Sequence, residues 1–222
     1  PAPLFIETPL QVSSKLPTLE DLGLPDLGFL AARQVEQRGG EDVAHSVLDD
    51  FLQRRGVKFL GGISSPLTAF EAGSRLSPYL AFGNLSSRQV IQATRARIAQ
   101  LDPDDPRTTR WKRSLRGFDE RLHWRCHFVQ KLESEPAIEH HNFVRALDGL
   151  REDSLNEDLL AAWCEGKTGY PMIDACMRCL VETGYFIFRM RAFLASFCSF
   201  TLWLFWRLGA RYVAATFLVF EP

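Results

Sequence analysis

The stretch from Ser64 to Gly83, SSPLTAFEAGSRLSPYLAFG, constrains the fold more than any other part of the chain. Ser77 followed by Pro78 is typical of a helix start, because serine caps free amides and proline loses no needed N–H there. Arg75 then lies just before a helix N-terminus, where free amides and the helix dipole favour an anion such as phosphate or pyrophosphate. The alternative is an ordinary capped helix with its arginine in a salt bridge, and the local pattern alone favours this alternative.

The apolar patterns elsewhere also predict helices, with no strand pattern above background and no internal repeat. The predicted helices cover 41–55, a segment from Ser77, 86–101, 107–133 as one helix or two joined near Gly117, 143–150, 155–165, 171–183, 189–207 and 210–220. Ser86 is a predicted cap, and Pro171 and Gly184 bracket one helix. The sequence therefore predicts an all-α fold, with residues 1–38 as a lead-in or interdomain linker and residues 39–222 as one helical domain.

Charge is unevenly distributed along the chain. The net charge of −1 gives no global sign of nucleic-acid binding, but residues 88–125 carry a net +5 and residues 131–165 a net −6. One interpretation is a basic face for an anionic partner. The other is two oppositely charged faces that meet each other or solvent.

The cysteines and the first residues of the chain indicate where in or outside the cell the protein is located. The five cysteines lack small-domain spacing, which predicts a reduced protein inside the cell, in the cytoplasm. The first residues have no signal-peptide pattern and no initiating Met, which predicts a fragment or a processed or trimmed chain. The longest uncharged run, 192–206, has 15 residues, whereas a membrane span needs about 20. A buried helix is therefore predicted there.

Two motifs suggest metal binding or redox chemistry as alternatives. His123, Cys126 and His127 are close enough on a helix to share a metal, but the HExxH glutamate and a distant ligand are missing. Ordinary hydrogen-bonded histidines are favoured. Cys176 and Cys179 form a CxxC inside an apolar helix, which favours core packing over redox chemistry. No metal site is predicted.

Five sequence blocks provide a second line of argument. They are Gly73–Gly83 with Leu85, Ser86 and Arg88; Trp124 with Arg125; Gly166–Pro171 with Asp174, Ala175, Met177 and Arg178; Thr183 and Gly184 with Arg189–Arg191 and Ala195–Phe197; and Trp206 with Arg207. In this order they resemble the flavin-binding helical domain of the DNA photolyase/cryptochrome family, over about residues 55–220. The antenna-binding α/β domain that usually precedes this domain in the family is not in the sequence.

The resemblance implies a domain that binds FAD non-covalently and repairs pyrimidine photoproducts by light-driven electron transfer from reduced flavin. The implied cofactor-binding residues are Ser74, Arg75, Leu76, Ser77, Phe118, Arg121, Arg125, Tyr185, Phe188 and Arg191. The implied catalytic residues are Trp124, stacked against the lesion, and Trp206, in an electron relay. The expected partner is damaged DNA, single- or double-stranded, and the expected state is a monomer.

The spacing of the 107–133 helix bears on the same site. Phe118, Arg121 and Arg125 lie at i, i+3 and i+7 and share a face that Trp124 borders. Such a face can hold a flavin edge and its phosphates, or a nucleic-acid backbone. Spacing alone favours a helix buried by its apolar side chains with exposed arginines, and the family resemblance reverses that preference.

Several positions depart from the family pattern. Gly73 stands for a common Thr, Arg121 for a Glu that contacts the lesion, and Phe188 for a frequent Asn. Further departures are Cys126, Asp153, Ala192 and Val219. The sequence ends at Pro222, before the segment that faces flavin N5 in the family, so a C-terminally truncated domain with weakened FAD retention is expected. The alternatives are a cryptochrome-like photoreceptor, a non-catalytic flavin- or DNA-binding remnant, and a plain nucleic-acid-binding module.

Overall fold

The computed structural model describes residues 37–153 and 155–219. These residues form ten α-helices: α1 Glu41–Asp50, α2 Phe59–Gly62, α3 Ala69–Ala72, α4 Ser77–Ala81, α5 Ser87–Ala99, α6 Thr108–Ser134, α7 Glu157–Cys164, α8 Pro171–Thr183, α9 Phe188–Ser196 and α10 Trp206–Thr216. Short 3-10 turns cover Gly56–Lys58, Pro136–Glu139 and Arg145–Leu147, and π turns cover Phe51–Arg55 and Phe197–Thr201. The described part contains no strand, and the all-α prediction is confirmed. The predicted lead-in lies almost wholly outside the described residues.

The first hydrophobic core lies where α1, α5 and the first half of α6 meet. Three aromatic rings fill its centre, with the Phe51 centroid 4.7 Å from that of Phe118 and 5.7 Å from that of Phe59. Leu115 and Val90 are fully buried beside them. Burying large apolar side chains in this way is the main favourable term in folding. It fixes α6, which carries the Arg121–Arg125 segment.

The second core is formed by α7 to α10. Trp163, Met177 and Leu180 have no exposed surface. Helix α10 approaches closely because Gly209 has no side chain: a Cβ at this position would lie 2.8 Å from the Cys198 sulfur. This core fixes α8 and α9 and the short segment between them.

Several helix boundaries agree with the sequence and others do not. Helix α8 begins at Pro171 and ends before Gly184, which has the left-handed φ of 64°. Ser86 forms a capping box with Gln89 at the start of α5. The predicted cap at Ser77 is wrong, because Ser77 is already helical, Leu76 holds the cap position and no side chain caps this five-residue helix.

The predicted 189–207 helix is also wrong as a single element. It changes to a π turn at Phe197, and Trp203 takes a left-handed φ of 58° before α10 begins. The break turns the chain so that Leu204 is 1% exposed and belongs to the second core, which a continuous helix would not require. By contrast, the 107–133 segment is one helix that runs through Gly117.

The predicted 143–150 helix is reduced to the 3-10 turn Arg145–Leu147. Its apolar side chains, including Phe143 and Leu150, are exposed and provide no buried face for a longer helix. No described helix combines the length and the apolar character that a membrane span requires.

Candidate functional site

The loop between α3 and α4 holds the first predicted residues, and its backbone is unusual at Arg75. Arg75 has a φ of 61°, in the left-handed region that disfavours side chains. Gln37 donates a 2.8 Å hydrogen bond to the Arg75 carbonyl. The Arg55 guanidinium donates to the Gly73 carbonyl and, at 3.3 Å, to the Ser74 carbonyl. These bonds hold the loop in a conformation that local preference alone would not select.

Arg55 is itself fixed by a carboxylate. Its Nε donates to Asp50, which also pairs with Arg54. Burial opposes ionisation of Asp50, but the hydrogen bonds and positive charges of Arg55 and Arg54 outweigh it and lower the pKa of this carboxyl. Asp50 therefore stays ionised and orients Arg55 toward the loop.

The Arg75 side chain lies beside a pair of aromatic rings that contact each other. Its guanidinium carbon is 4.3 Å from the Phe70 ring centroid and 6.0 Å from that of Tyr185. Its Nε is buried and has no hydrogen-bond acceptor among residues 37–153 and 155–219. Burial lowers the pKa of Arg75, yet a guanidinium remains protonated in proteins. A partly buried cation with a buried, unpaired N–H is an arrangement that an anionic ligand would complete.

Tyr185 joins this loop to the second half of the domain. Its ring lies 5.5 Å from that of Phe70 in an edge-on arrangement. Burial raises the pKa of Tyr185, and the positive charges of Arg75, Arg191 and Arg55 partly offset that rise. The phenol is thus neutral at pH 7, and three arginines are close enough to affect it electrostatically.

Gly73 lies where these groups are most crowded. A Cβ at this position would lie 2.8 Å from the Ala69 carbonyl oxygen and 2.9 Å from the Tyr185 hydroxyl. Both distances are shorter than carbon–oxygen contacts allow. The departure from the family's Thr therefore has a steric reason in this chain.

A cavity of about 750 Å³ lies beside the loop. Its lining is Gln37, Arg38, Val43, Val47, Asp50, Arg54, Arg55, Lys58, Phe70, Glu71, Arg75 and Tyr79. Five cationic side chains face two carboxylates, so the cavity favours an anion. Its volume is within the usual range of about 300–1,000 Å³ for small-molecule sites. Of the predicted cofactor residues, Arg75 alone contributes to the lining, and Ser74 is adjacent to it.

The other predicted residues do not line this cavity. Leu76 and Phe118 are buried in the first core. Arg125 approaches the Leu80 carbonyl oxygen at 3.5 Å, which links α6 to the end of α4. Arg191 donates from Nε to the Phe186 carbonyl at 3.0 Å. The roles expected for these residues stay predictions.

Trp124 and Trp206, the predicted catalytic residues, are both partly exposed. Trp124 is 52% exposed, and the Arg121 guanidinium lies 4.3 Å from its ring centroid. Trp206 donates from Nε1 to the Asn142 side-chain oxygen at 2.7 Å. They belong to different helices, α6 and α10, and Phe188 at the start of α9 is 63% exposed.

The metal and redox alternatives can also be placed. His123 contacts the Asp119 carbonyl oxygen at 2.8 Å, an ordinary hydrogen bond. Within the described ranges, no group of three His, Cys, Asp or Glu residues is arranged to hold a metal. Cys176 is buried in the second core, and burial raises the pKa of its thiol, so it is a poor thiolate nucleophile.

Two residues of the loop environment, Arg55 and Phe70, were missed by sequence reasoning. Arg55 lies 18 positions before the carbonyl that it binds, and Phe70 meets a ring more than one hundred positions later. A helix pattern ending at 55 and an apolar residue inside a loop carry no signal of such contacts. Only the fold brings them together.

Comparison with known proteins finds relatives in one family. Residues 118–222 match the family model of the FAD binding domain of DNA photolyase. The chain is 33% identical over 217 residues to the deoxyribodipyrimidine photo-lyase of Halobacterium salinarum, covering 94% of this chain and 41% of that protein. The chain is related to the DNA photolyases and cryptochromes.

Solved structures of this family show the same fold. The Synechocystis cryptochrome gives a TM-score of 0.70 at 26% identity, covering 92% of this chain and 40% of that one. The Sulfolobus tokodaii photolyase, a structure with two FAD molecules, gives 0.63 at 29%, covering 90% and 41%. The chain therefore spans about two fifths of each of these photolyase-family relatives.

Proposed function

We propose that this chain binds FAD and that the Arg75 loop receives its pyrophosphate. The observation that carries the proposal is the partly buried Arg75 side chain, whose buried Nε has no acceptor in the described part of the chain, beside a cavity rich in cations. Arg55 donates hydrogen bonds to the Gly73 and Ser74 carbonyl oxygens, which reduces their repulsion of an incoming phosphate. The family match of the later helices supports the same cofactor.

The surrounding side chains have separable roles in such a site. Phe70 and Tyr185 cover one side of the Arg75 guanidinium and reduce its contact with water. Lower water access strengthens an arginine–phosphate interaction. Arg191, held by the Phe186 carbonyl, adds positive charge from the α9 side. Neutral Tyr185 contributes a hydroxyl that does not repel an anion.

We infer that the activity is light-driven repair of pyrimidine photoproducts in damaged DNA. Reduced FAD, when bound, supplies the electron for such a reaction. Trp124, half exposed on α6, offers a flat surface for an extruded base. Exposed arginines of α5 and α6, such as Arg88, Arg110 and Arg113, provide charge for the DNA backbone. Trp206 is the proposed relay tryptophan, and the protein is proposed to act inside the cell as a monomer.

A cryptochrome-like photoreceptor is the second candidate, and one contact favours it. The Arg121 guanidinium covers one face of Trp124, where the family's glutamate would carry the opposite charge. A base can stack on that face only if it displaces Arg121. A chain that keeps this pair closed would bind flavin without processing a lesion.

The experiment begins with expression in FAD-supplemented medium and an absorption spectrum after gel filtration. The unmodified chain is expected to retain flavin, and Arg75→Ala to lose it, since alanine keeps the backbone strain but removes the guanidinium. Arg116→Gln, an exposed charge change on α6, is the matched control and should retain flavin. Equal flavin content in Arg75→Ala and the unmodified chain would refute the assignment of the loop.

Repair and photoreception separate in the next step. The flavin-loaded chain is illuminated with an oligonucleotide that contains cyclobutane pyrimidine dimers, and the dimers are counted by chromatography. Loss of dimers that requires both light and flavin supports repair. Photoreduction without loss of dimers rejects repair and supports the photoreceptor.

A further inference from the structure

A second cavity lies between the C-terminal half of α6, the segment 138–152 and α10. Its volume is about 870 Å³. Its lining is Phe128, Lys131, Leu132, Ile138–Val144, Leu147, Leu150–Glu152, Ser199, Phe205–Arg207, Ala210, Arg211 and Ala214. None of these residues lines the cavity beside Arg75, so the two cavities are separate candidate sites.

The cavity walls are aromatic and partly fixed by hydrogen bonds. Phe128 and Phe143 are each at least half exposed, an unfavourable state for large apolar rings in water. The Trp206 indole is held by the Asn142 side-chain oxygen at 2.7 Å. Asn142 in turn donates to the Leu147 carbonyl at 2.8 Å. One wall is thus positioned before any ligand arrives, which lowers the entropy cost of binding.

Arg207 supplies an unsatisfied cation in the same wall. Its Nε and Nη2 are buried and lack a hydrogen-bond acceptor among the residues that the structure describes. Its guanidinium carbon lies 5.1 Å from the ring centroids of Phe205 and Trp206. Two buried guanidinium nitrogens without acceptors are costly and call for an explanation in a native fold.

The remaining charges of the lining do not provide that acceptor. Glu152 accepts hydrogen bonds from the Arg151 amide at 3.0 Å and from Asn142. Glu139 lies 3.8 Å from His140. Lys131 and Arg211 add further positive charge, so the lining holds four Lys or Arg side chains against two carboxylates.

We propose that this cavity binds a small planar aromatic anion, a carboxylate, sulfonate or phosphate, with its charged group on Arg207. The aromatic body would cover the exposed rings of the wall, and the anionic group would accept hydrogen bonds from Nε and Nη2 of Arg207. The combination of an apolar cavity and a few convergent polar groups is characteristic of small-molecule sites. The lining includes Trp206, the proposed relay tryptophan, but ligand binding in this cavity can be measured without FAD and without light.

The probe is 8-anilinonaphthalene-1-sulfonate, whose fluorescence rises on transfer from water to an apolar site. N-phenyl-1-naphthylamine, which has a similar aromatic body without the sulfonate, reports binding that does not need the charge. The unmodified chain should bind one sulfonate dye per molecule. Arg207→Gln should weaken the sulfonate dye about tenfold and change the neutral dye by less than about twofold.

Two further variants locate the dye. Ala214→Phe or Ala210→Phe fills the cavity from α10 and should weaken both dyes, with helix content checked by circular dichroism. Arg116→Gln removes a charge outside the cavity and should change neither. Equal affinity of Arg207→Gln and the unmodified chain for the sulfonate dye would overturn the proposal. So would binding of the dye at several weak sites that neither Ala214→Phe nor Ala210→Phe affects.

Discussion

At the scale of single residues, Arg75 illustrates how a site can depend on an unfavourable backbone. A side chain at a left-handed φ costs about 1–2 kcal/mol, and such strain persists only where surrounding contacts hold it. Gln37 and Arg55 supply those contacts through the loop carbonyls. The result is a guanidinium that lies beside the Phe70 and Tyr185 rings. The strain thus lies at the residue that the flavin proposal needs most.

Replacing Gly73 tests the crowding beside Arg75. Gly73→Ala puts a methyl group 2.8 Å from the Ala69 carbonyl oxygen, and a backbone atom cannot move aside cheaply. The expected loss is about 1–3 kcal/mol in the free energy of unfolding, measured by urea titration. Gly39→Ala is the control, because a Cβ there meets nothing within 4 Å. Equal midpoints for the two variants would contradict the packing described here.

Asp174 makes stability depend on acid pH. Its carboxylate accepts hydrogen bonds from the Thr168 amide at 2.8 Å, the Thr168 hydroxyl at 2.6 Å and the Gly169 amide at 3.0 Å. Burial opposes ionisation, but these bonds and the Arg178 charge outweigh it and lower the pKa of Asp174. The stabilisation is therefore complete above the unfolded-state pKa, near 4, and is lost as pH falls through the lower folded-state pKa.

The measurement for Asp174 is urea unfolding at several pH values. Asp174→Asn should be clearly less stable than the unmodified chain at pH 7, because an amide cannot accept the same set of donors. The gap should narrow as pH falls below about 4, because the Asp174 carboxyl of the unfolded chain then binds a proton that the folded chain binds only at lower pH. A gap that stays constant from pH 7 to pH 3 would show that the charge of Asp174 is not what the loop needs.

At the scale of elements, two serines with similar sequence contexts have different roles. Ser86 accepts from the Gln89 amide at 3.2 Å and caps α5, whereas Ser77 caps nothing. Ser86→Ala should cost about 1 kcal/mol of folding free energy, and Ser77→Ala less than about 0.5 kcal/mol. Thermal unfolding of both variants checks the difference. A larger loss of folding free energy for Ser77→Ala than for Ser86→Ala would show that Ser77 does cap α4.

The elements also show which structure a sequence can predict. Helix α8 has both ends right, since Pro171 and Gly184 act through local backbone geometry. The break at Trp203 was missed because it depends on burying Leu204 in the second core, whose members are spread over residues 163–204. Local signals thus located helix ends, whereas tertiary packing decided where an apolar run had to bend.

The residues of the candidate site divide in the same way, into those that sequence motifs predict and those that only the fold brings together. Arg75 and Tyr185 belong to sequence motifs and were predicted, while Arg55 and Phe70 join them only through long-range contacts. Gly73 was identified from the sequence as a departure from the family pattern. Its steric reason, the Tyr185 hydroxyl, becomes visible only when residues more than one hundred positions apart are placed together.

At the scale of the whole molecule, the proposed cofactor site joins two cores. Phe70 and Arg75 lie in the segment beside the first core. Tyr185 and Arg191 lie just before and within α9, beside the second core. A ligand that contacts both sides stabilises both, because binding to the native state raises the free energy of every opening that destroys the site. FAD binding should then stabilise both cores by the same amount.

Hydrogen exchange tests this coupling. The amides of Leu115 and Leu180, both fully buried, report on the first and second cores. With FAD at about one hundred times its dissociation constant, both should gain about 2.7 kcal/mol of protection, and Arg75→Ala should gain none. Protection gained at Leu115 alone would mean that the first core holds FAD by itself, so the proposed roles of Tyr185 and Arg191 would fail. Equal gains at both amides would support a flavin site shared between the two cores.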